Sequence, residues 1–210
     1  MPRKKYGFKT VDDKLTIVHN SGIEWVEEIT TTRFKAKAGN NPWNDFLNIN
    51  PPLMKNFEYR IDNNFIYKTD EYGRVEKITV ENLELNPNRT RDSYPQAKAK
   101  EIKDGNLTPP VDNGGHMVGN QFYGPSEQIN YFPQNAESNQ SGIWYQMEQE
   151  LRQLRLNNPN ATIKVEIVPE FPNTIGRFND PFRRPDWFNI DVEIDGVPHQ
   201  ITNPRIANPF

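Results

Sequence analysis

Eighteen prolines spread through 210 residues limit how much long helix this chain can form, because proline removes a backbone donor and clashes with the preceding helical turn. Hydrophobic residues make up 34%, below the ~45–50% of an ordinary soluble domain. Loops and short strands are therefore expected to outweigh long helices. The length suits one domain plus appendages and is enough to bury a core. With no cysteine in the chain, disulfides, thiolate zinc sites and cysteine nucleophiles are excluded. Any metal must use oxygen or imidazole ligands. The formal net charge of -3 supplies no global basic field, which counts against a stoichiometric nucleic-acid-binding module; a turnover enzyme needs only local positive charge. No apolar run approaches the ~18 residues of a membrane span. The basic start Met1-Pro2-Arg3-Lys4-Lys5 lacks the apolar stretch of a signal peptide, so export is expected to depend on another device.

Local patterns divide the chain. Residues 1–55 show no sustained period and read as an N-terminal appendage, with 56–210 as the main domain. Phe65-Ile66-Tyr67 and Val75 to Val80 flank Asp70-Glu71-Tyr72-Gly73-Arg74, which predicts a β-hairpin whose glycine takes positive φ. The polar stretch 86–111 reads as a loop with at most a short helix. In 112–140 glycines alternate with single apolar residues, so the backbone is expected to bend back on itself. Ile143, Met147, Leu151 and Leu154 form one apolar stripe on a helix that Asn157-Asn158-Pro159 should stop. Glu148, Arg152 and Arg155 form a polar stripe off that face. Ile163 to Val168 and Phe188 to Ile194 alternate as half-buried strands do, and a turn at Asp195-Gly196 leads to a strand around His199 to Thr202.

The chemistry concentrates between 112 and 152. A histidine is the natural base at neutral pH. His116 has the most suggestive context, because Gly114 and Gly115 let the backbone bend tightly and approach a phosphate; His19 and His199 lack such surroundings. Magnesium prefers oxygen ligands and keeps several waters, so one neutral amide oxygen plus substrate phosphate suffices as a protein contribution. Asn139 fits that role, and equally fits a helix N-cap. Glu148 and Arg152, spaced i and i+4, fit either a surface ion pair or a site in which Glu148 orients water and Arg152 meets a phosphate.

These residues together resemble the DNA/RNA non-specific endonuclease family, whose sites are of the ββα-metal or His-Me finger type. A Gly-His pair supplies the base, here Gly115-His116; a strand ending in Pro133-Gln134 leads to the metal-binding asparagine of Asn139-Gln140. The following tryptophan, glutamate and arginine fall on Trp144, Glu148 and Arg152. A narrower resemblance is to the C-terminal nuclease domains of bacterial polymorphic and contact-delivered toxins, through the hairpin Tyr67 to Arg74 and the stretch Arg184 to Asn189. Two departures stand out. Gly114 replaces the arginine found before the Gly-His pair, which turns attention to Arg91, Arg152 and Arg184 as sources of positive charge. Asn113 stands where the toxins often have a second acid, leaving Asp112 as the local carboxylate and a backbone carbonyl as the candidate to orient His116.

The resemblance implies an α+β fold, with a bent antiparallel sheet, a ββα-metal core and one main amphipathic helix. It implies a magnesium-dependent endonuclease, with manganese as the alternative, cutting DNA and with RNA open. His116, Glu148 and Arg152 are the expected catalytic residues, Asn139 the metal ligand, and Gly115, Arg91 and Arg184 the substrate contacts. It further implies a toxic effector delivered or secreted by a bacterium, acting in the target-cell cytoplasm, and paired with a cognate immunity protein; no membrane association is expected. The rival readings are a non-catalytic docking module in which Gly-Gly-His is only a bend, and a hydrolase of another ester, such as a phospholipase.

Overall fold

The computed structural model describes residues 7–11, 14–18, 26–29, 33–36, 53–86, 112–125, 128–140, 142–172 and 184–209, the first four segments by backbone alone. The expected loop 86–111, with Arg91, lies outside the described residues apart from Asn86. The architecture is α+β. Thirteen strands are described: β1 (Gly7–Val11), β2 (Lys14–Val18), β3 (Val26–Ile29), β4 (Arg33–Ala36), β5 (Glu58–Ile61), β6 (Phe65–Thr69), β7 (Val75–Val80), β8 (Asp112–His116), β9 (Tyr131–Asn135), β10 (Ile163–Glu170), β11 (Trp187–Ile194), β12 (Val197–His199) and β13 (Arg205–Ala207). Two helices follow β9: the short α1 (Ala136–Gln140) and the main helix α2 (Ile143–Asn157).

The main sheet runs β12-β11-β10-β7-β6-β5-β4-β3, with β13 also on β11, while β1-β2 and β8-β9 form separate two-stranded ladders. Every pairing is antiparallel except β4 on β5, which is parallel. The predicted hairpin is β6-β7, joined by a turn in which the Asp70 carboxylate accepts the Tyr72 and Arg74 amides, both at 2.9 Å. Gly73 sits there at φ +77 with the Leu53 carbonyl against its α-carbon, so any side chain would be both strained and obstructed. Asp195 and Gly196, at φ 51 and 80, make the two-residue turn from β11 to β12. The strand expected around His199 to Thr202 lies earlier, at Val197–His199.

Burial alternates strictly along β10, as on a strand with one face against a core. Pro169 lies beyond the Val165–Ile167 stretch that pairs with β7, where its missing donor interrupts no bond to that strand. The buried face gathers Tyr59, Ile61, Phe65, Tyr67, Ile78 and Val80 from one half of the sheet and Ile163, Val165, Ile167, Phe188, Ile190 and Val192 from the other. Burial holds the ionisation of Tyr59 above its ordinary value, against the Met54 amide that donates to its hydroxyl at 2.9 Å.

The stripe on α2 is corrected at its first position. Ile143 is 43% exposed and Trp144 takes the inward place, with Met147 and Leu151 behind it. Trp144 meets Phe188 of β11 at 4.9 Å and Phe132 of β9 at 5.6 Å between ring centres, fastening helix, sheet and β8-β9 ladder together. Arg155, read as part of the polar stripe, is buried: its guanidinium donates to the Asn158 carbonyl and, at 2.7 Å, to that of Ala161. It satisfies carbonyls where the helix ends, as basic side chains there can.

Candidate active site

β8 and β9 pair in the register Asp112↔Asn135, Gly114↔Pro133 and His116↔Tyr131. The strand–loop–strand then runs into α1, which packs on both β8 and β9 and on α2. Gly114 and Gly115 are extended strand residues without positive φ, so the expected tight bend is absent at that point. The glycine at 115 has another cause: a β-carbon there would lie 2.1 Å from Gln134 Oε1. Gly115 accommodates a buried protein side chain where a phosphate contact was expected.

His116 ends β8 and is 7% exposed. Its Nε2 lies 2.9 Å from the Tyr131 hydroxyl, with the rings 4.4 Å apart. A tyrosine hydroxyl thus holds one nitrogen of the imidazole. The loop after His116 is held by Asn130, which is fully buried. Its side-chain oxygen accepts Tyr67 Oη and the Val118 amide, each at 2.9 Å. Its nitrogen donates to the Val118 and Pro125 carbonyls, also at 2.9 Å. The fully satisfied amide locks the His116 loop to β6.

Three residues past His116, Gly119 faces the carboxylate of Glu148: a β-carbon at 119 would meet Glu148 Oε1 at 2.3 Å. The structure therefore brings Glu148 of α2 to the loop that follows His116. Asn139 is the fourth residue of α1 and half-buried. It does not cap the helix; Asn135 does, accepting the Ser138 amide at 2.9 Å. Arg152 is half-buried one turn beyond Glu148.

Arg184 is placed otherwise than expected. It is 3% exposed and forks onto Asp112, Nε to Oδ2 at 2.8 Å and Nη2 to Oδ1 at 3.0 Å. It also donates to the carbonyls of Asn208 and Pro209 at 2.6 and 2.8 Å. Through these partners it anchors the start of β8. Asn208 completes the clasp, accepting the Asn135 amide at 2.8 Å and donating to Pro133 and Pro185 carbonyls at 3.1 and 2.7 Å.

Among the described residues no three of His, Cys, Asp and Glu gather to hold a metal. The donors on offer are the Asn139 amide and the Glu148 carboxylate, an oxygen set that suits a hard cation retaining most of its water. The Gln134 Oε1 atom and both amide atoms of Asn120 are buried without a hydrogen-bond partner among the described residues. Tyr131, Asn130, Gly119 and Asn208 were not anticipated as site residues. Tyr131 could have been found by pairing 112–116 with 131–135; Asn208 carries no local signal.

Residues 55–196 match the profile of a family described as DNA/RNA non-specific endonuclease. The type VII secretion system protein EssD of Staphylococcus aureus strain USA300 is 27% identical over 157 residues, which cover 72% of this chain and 23% of that protein. Strain Newman has an EssD with the same identity and coverage. The chain thus spans about a quarter of the length of these curated relatives. Among solved structures, the crystal structure of NucA from Streptococcus agalactiae with no metal bound aligns over 98% of this chain and 84% of its own, at 13% identity and a TM-score of 0.43.

Proposed function

The chain belongs to the DNA/RNA non-specific endonuclease family, and from that premise we propose that it is a metal-dependent endonuclease hydrolysing DNA, and RNA as a second substrate, with His116 as its base. The observation that carries the proposal is that the Glu148 carboxylate lies against Gly119, three residues past His116, beside the strand that leads into the helix of Asn139.

Asn139 is the residue that would hold a divalent cation, magnesium with manganese as the alternative, and the cation when bound supplies positive charge to the phosphoryl and leaving oxygens. His116 takes the proton from the attacking water. Glu148, across Gly119, would position a water held by that cation. Arg152 neutralises charge developing on the phosphate, and Arg91 is the remaining candidate for a substrate contact. The catalytic unit is 56–210. The similarity to EssD supports a further reading, that this unit is the toxic part of a secreted or delivered effector acting in the target-cell cytoplasm and blocked by a cognate immunity protein. Among the described residues no helix is long and apolar enough to cross a membrane.

Plasmid DNA and an unstructured RNA, each incubated with the parent chain and with His116→Ala in magnesium and in chelator, test this reading. The parent should cut in magnesium and stop in chelator, and the variant should be slower by at least the ~10²-fold typical of losing a general base. Equal rates for parent and variant would remove His116 from the chemistry.

A further inference from the structure

Asn139 sits on α1, a helix of five residues and far too short to persist in water unaided. Its form is therefore imposed at its ends. At the front, the Asn135 side-chain oxygen accepts the amide of Ser138, the residue before Asn139, at 2.9 Å. At the back, the Gly142 amide donates to the Glu137 carbonyl at 2.9 Å, and a β-carbon on Gly142 would lie 2.8 Å from Ser138 Cα. Asn135 is itself held in place. Its own amide donates at 2.8 Å to the side-chain oxygen of Asn208, 73 residues away, whose nitrogen donates to the Pro133 carbonyl of the same strand.

We infer, on the reading that Asn139 holds the cation, that Asn135 is a positioning residue for it: by capping α1 from a strand end that Asn208 fixes, Asn135 keeps the Asn139 amide presented to the metal. With one neutral amide oxygen as the ligand, apparent affinity scales with the fraction of molecules that present it. Removing the cap leaves the Ser138 amide without its acceptor and loosens the single turn that carries Asn139. The loss of a good cap shifts a helix equilibrium about fivefold, and in so short a helix that shift falls directly on the ligand. The role belongs to metal binding and not to proton transfer. A protein without the cap should therefore need more metal and still reach the same maximal rate.

The test compares two variants of the full chain: Asn135→Ala, which removes the cap, and Asn135→Ser, a neutral residue that caps as well as asparagine. Manganese titrated in without nucleic acid should broaden the Asn139 side-chain amide signals in nitrogen-15 spectra of the parent. The concentration at half-broadening should rise about fivefold in Asn135→Ala and return close to the parent's in Asn135→Ser. In plasmid cleavage the magnesium concentration for half-maximal rate should rise by the same factor, with kcat at saturating magnesium kept. A lower urea midpoint in Asn135→Ala with both metal midpoints unmoved would reduce Asn135 to a stabilising cap and overturn its positioning role. No broadening of Asn139 in the parent would instead overturn the metal role of Asn139 itself. Should Asn135→Ala fail to fold, hydrogen exchange of the Ser138 amide in the parent decides: by reciprocity, saturating magnesium should slow it, and unchanged exchange would overturn the link between cap and metal.

Discussion

Two glycines near His116 look alike in sequence and differ in what a methyl group would meet. At Gly119 the obstruction is the far end of Glu148, a flexible side chain that can swing away. At Gly115 it includes Gln134 Cβ at 2.8 Å as well as Oε1, so the β9 backbone itself must shift. Gly119→Ala is therefore expected to melt close to the parent while losing activity, because the carboxylate is pushed off the loop. Gly115→Ala should lose roughly 1–3 kcal/mol of stability, the range for overpacking. Urea melts and plasmid nicking on both variants separate the two cases. At this scale the sequence singled out His116 as a candidate, since its neighbours carry a pattern. The burial of Arg184 was not foreseen because its partner Asp112 is 72 positions away and nothing local announces it. Tyr131 carries no local sign of its partnership with His116, because the two meet only when β8 and β9 lie side by side.

At the level of the element, periodicity placed α2 within a residue or so but chose the wrong inward face at its start. Ile143 and Trp144 are adjacent, and the aromatic cluster with Phe132 and Phe188 takes the larger ring. The alternating strands β10 and β11 were readable because each buries one face. Of the β8-β9 ladder only the strand ending in Pro133-Gln134 was foreseen, and that through the family resemblance: two glycines and a proline give the pair little intrinsic preference, and an isolated pair of strands is marginal in water. Its order comes from outside, through Arg184 and Asn208. Arg184→Ala should cost about 3–5 kcal/mol, because Asp112 is then left buried without its partner. Urea denaturation reads the loss, and Arg184→Met combined with Asp112→Leu should regain much of it. A substrate-binding Arg184 would give the opposite pattern, with stability kept and KM raised.

Across the whole molecule, β6, β7, β10, β11 and β12 of the main sheet were legible, where hairpin turns and alternation agree, while β5 and β13 gave no such signal. The sheet's extension was not legible either: β3 and β4 join through a parallel pairing of Arg33–Ala36 with Glu58–Ile61, and parallel contacts leave no turn signal between the strands that make them. The sheet's centre also sets the response to alkali. Tyr59 in the unfolded chain ionises near pH ~10, while burial delays that ionisation in the fold. The unfolded state therefore sheds its proton first, so this contribution to stability is complete below pH ~10 and declines above it. Tyr59→Phe should flatten the fall in urea midpoint between neutral and strongly alkaline pH; an unchanged slope would assign the decline to other groups. The clasp at Asn208 has a consequence in time. During synthesis His116, Asn139, Glu148 and Arg152 leave the ribosome well before Asn208 does, and until then β9, the strand paired with that of His116, lacks the bonds that Asn208 gives it. The ladder beside the proposed site is made early and clasped late, so a polypeptide paused before residue 208 holds it unfastened on the β9 side.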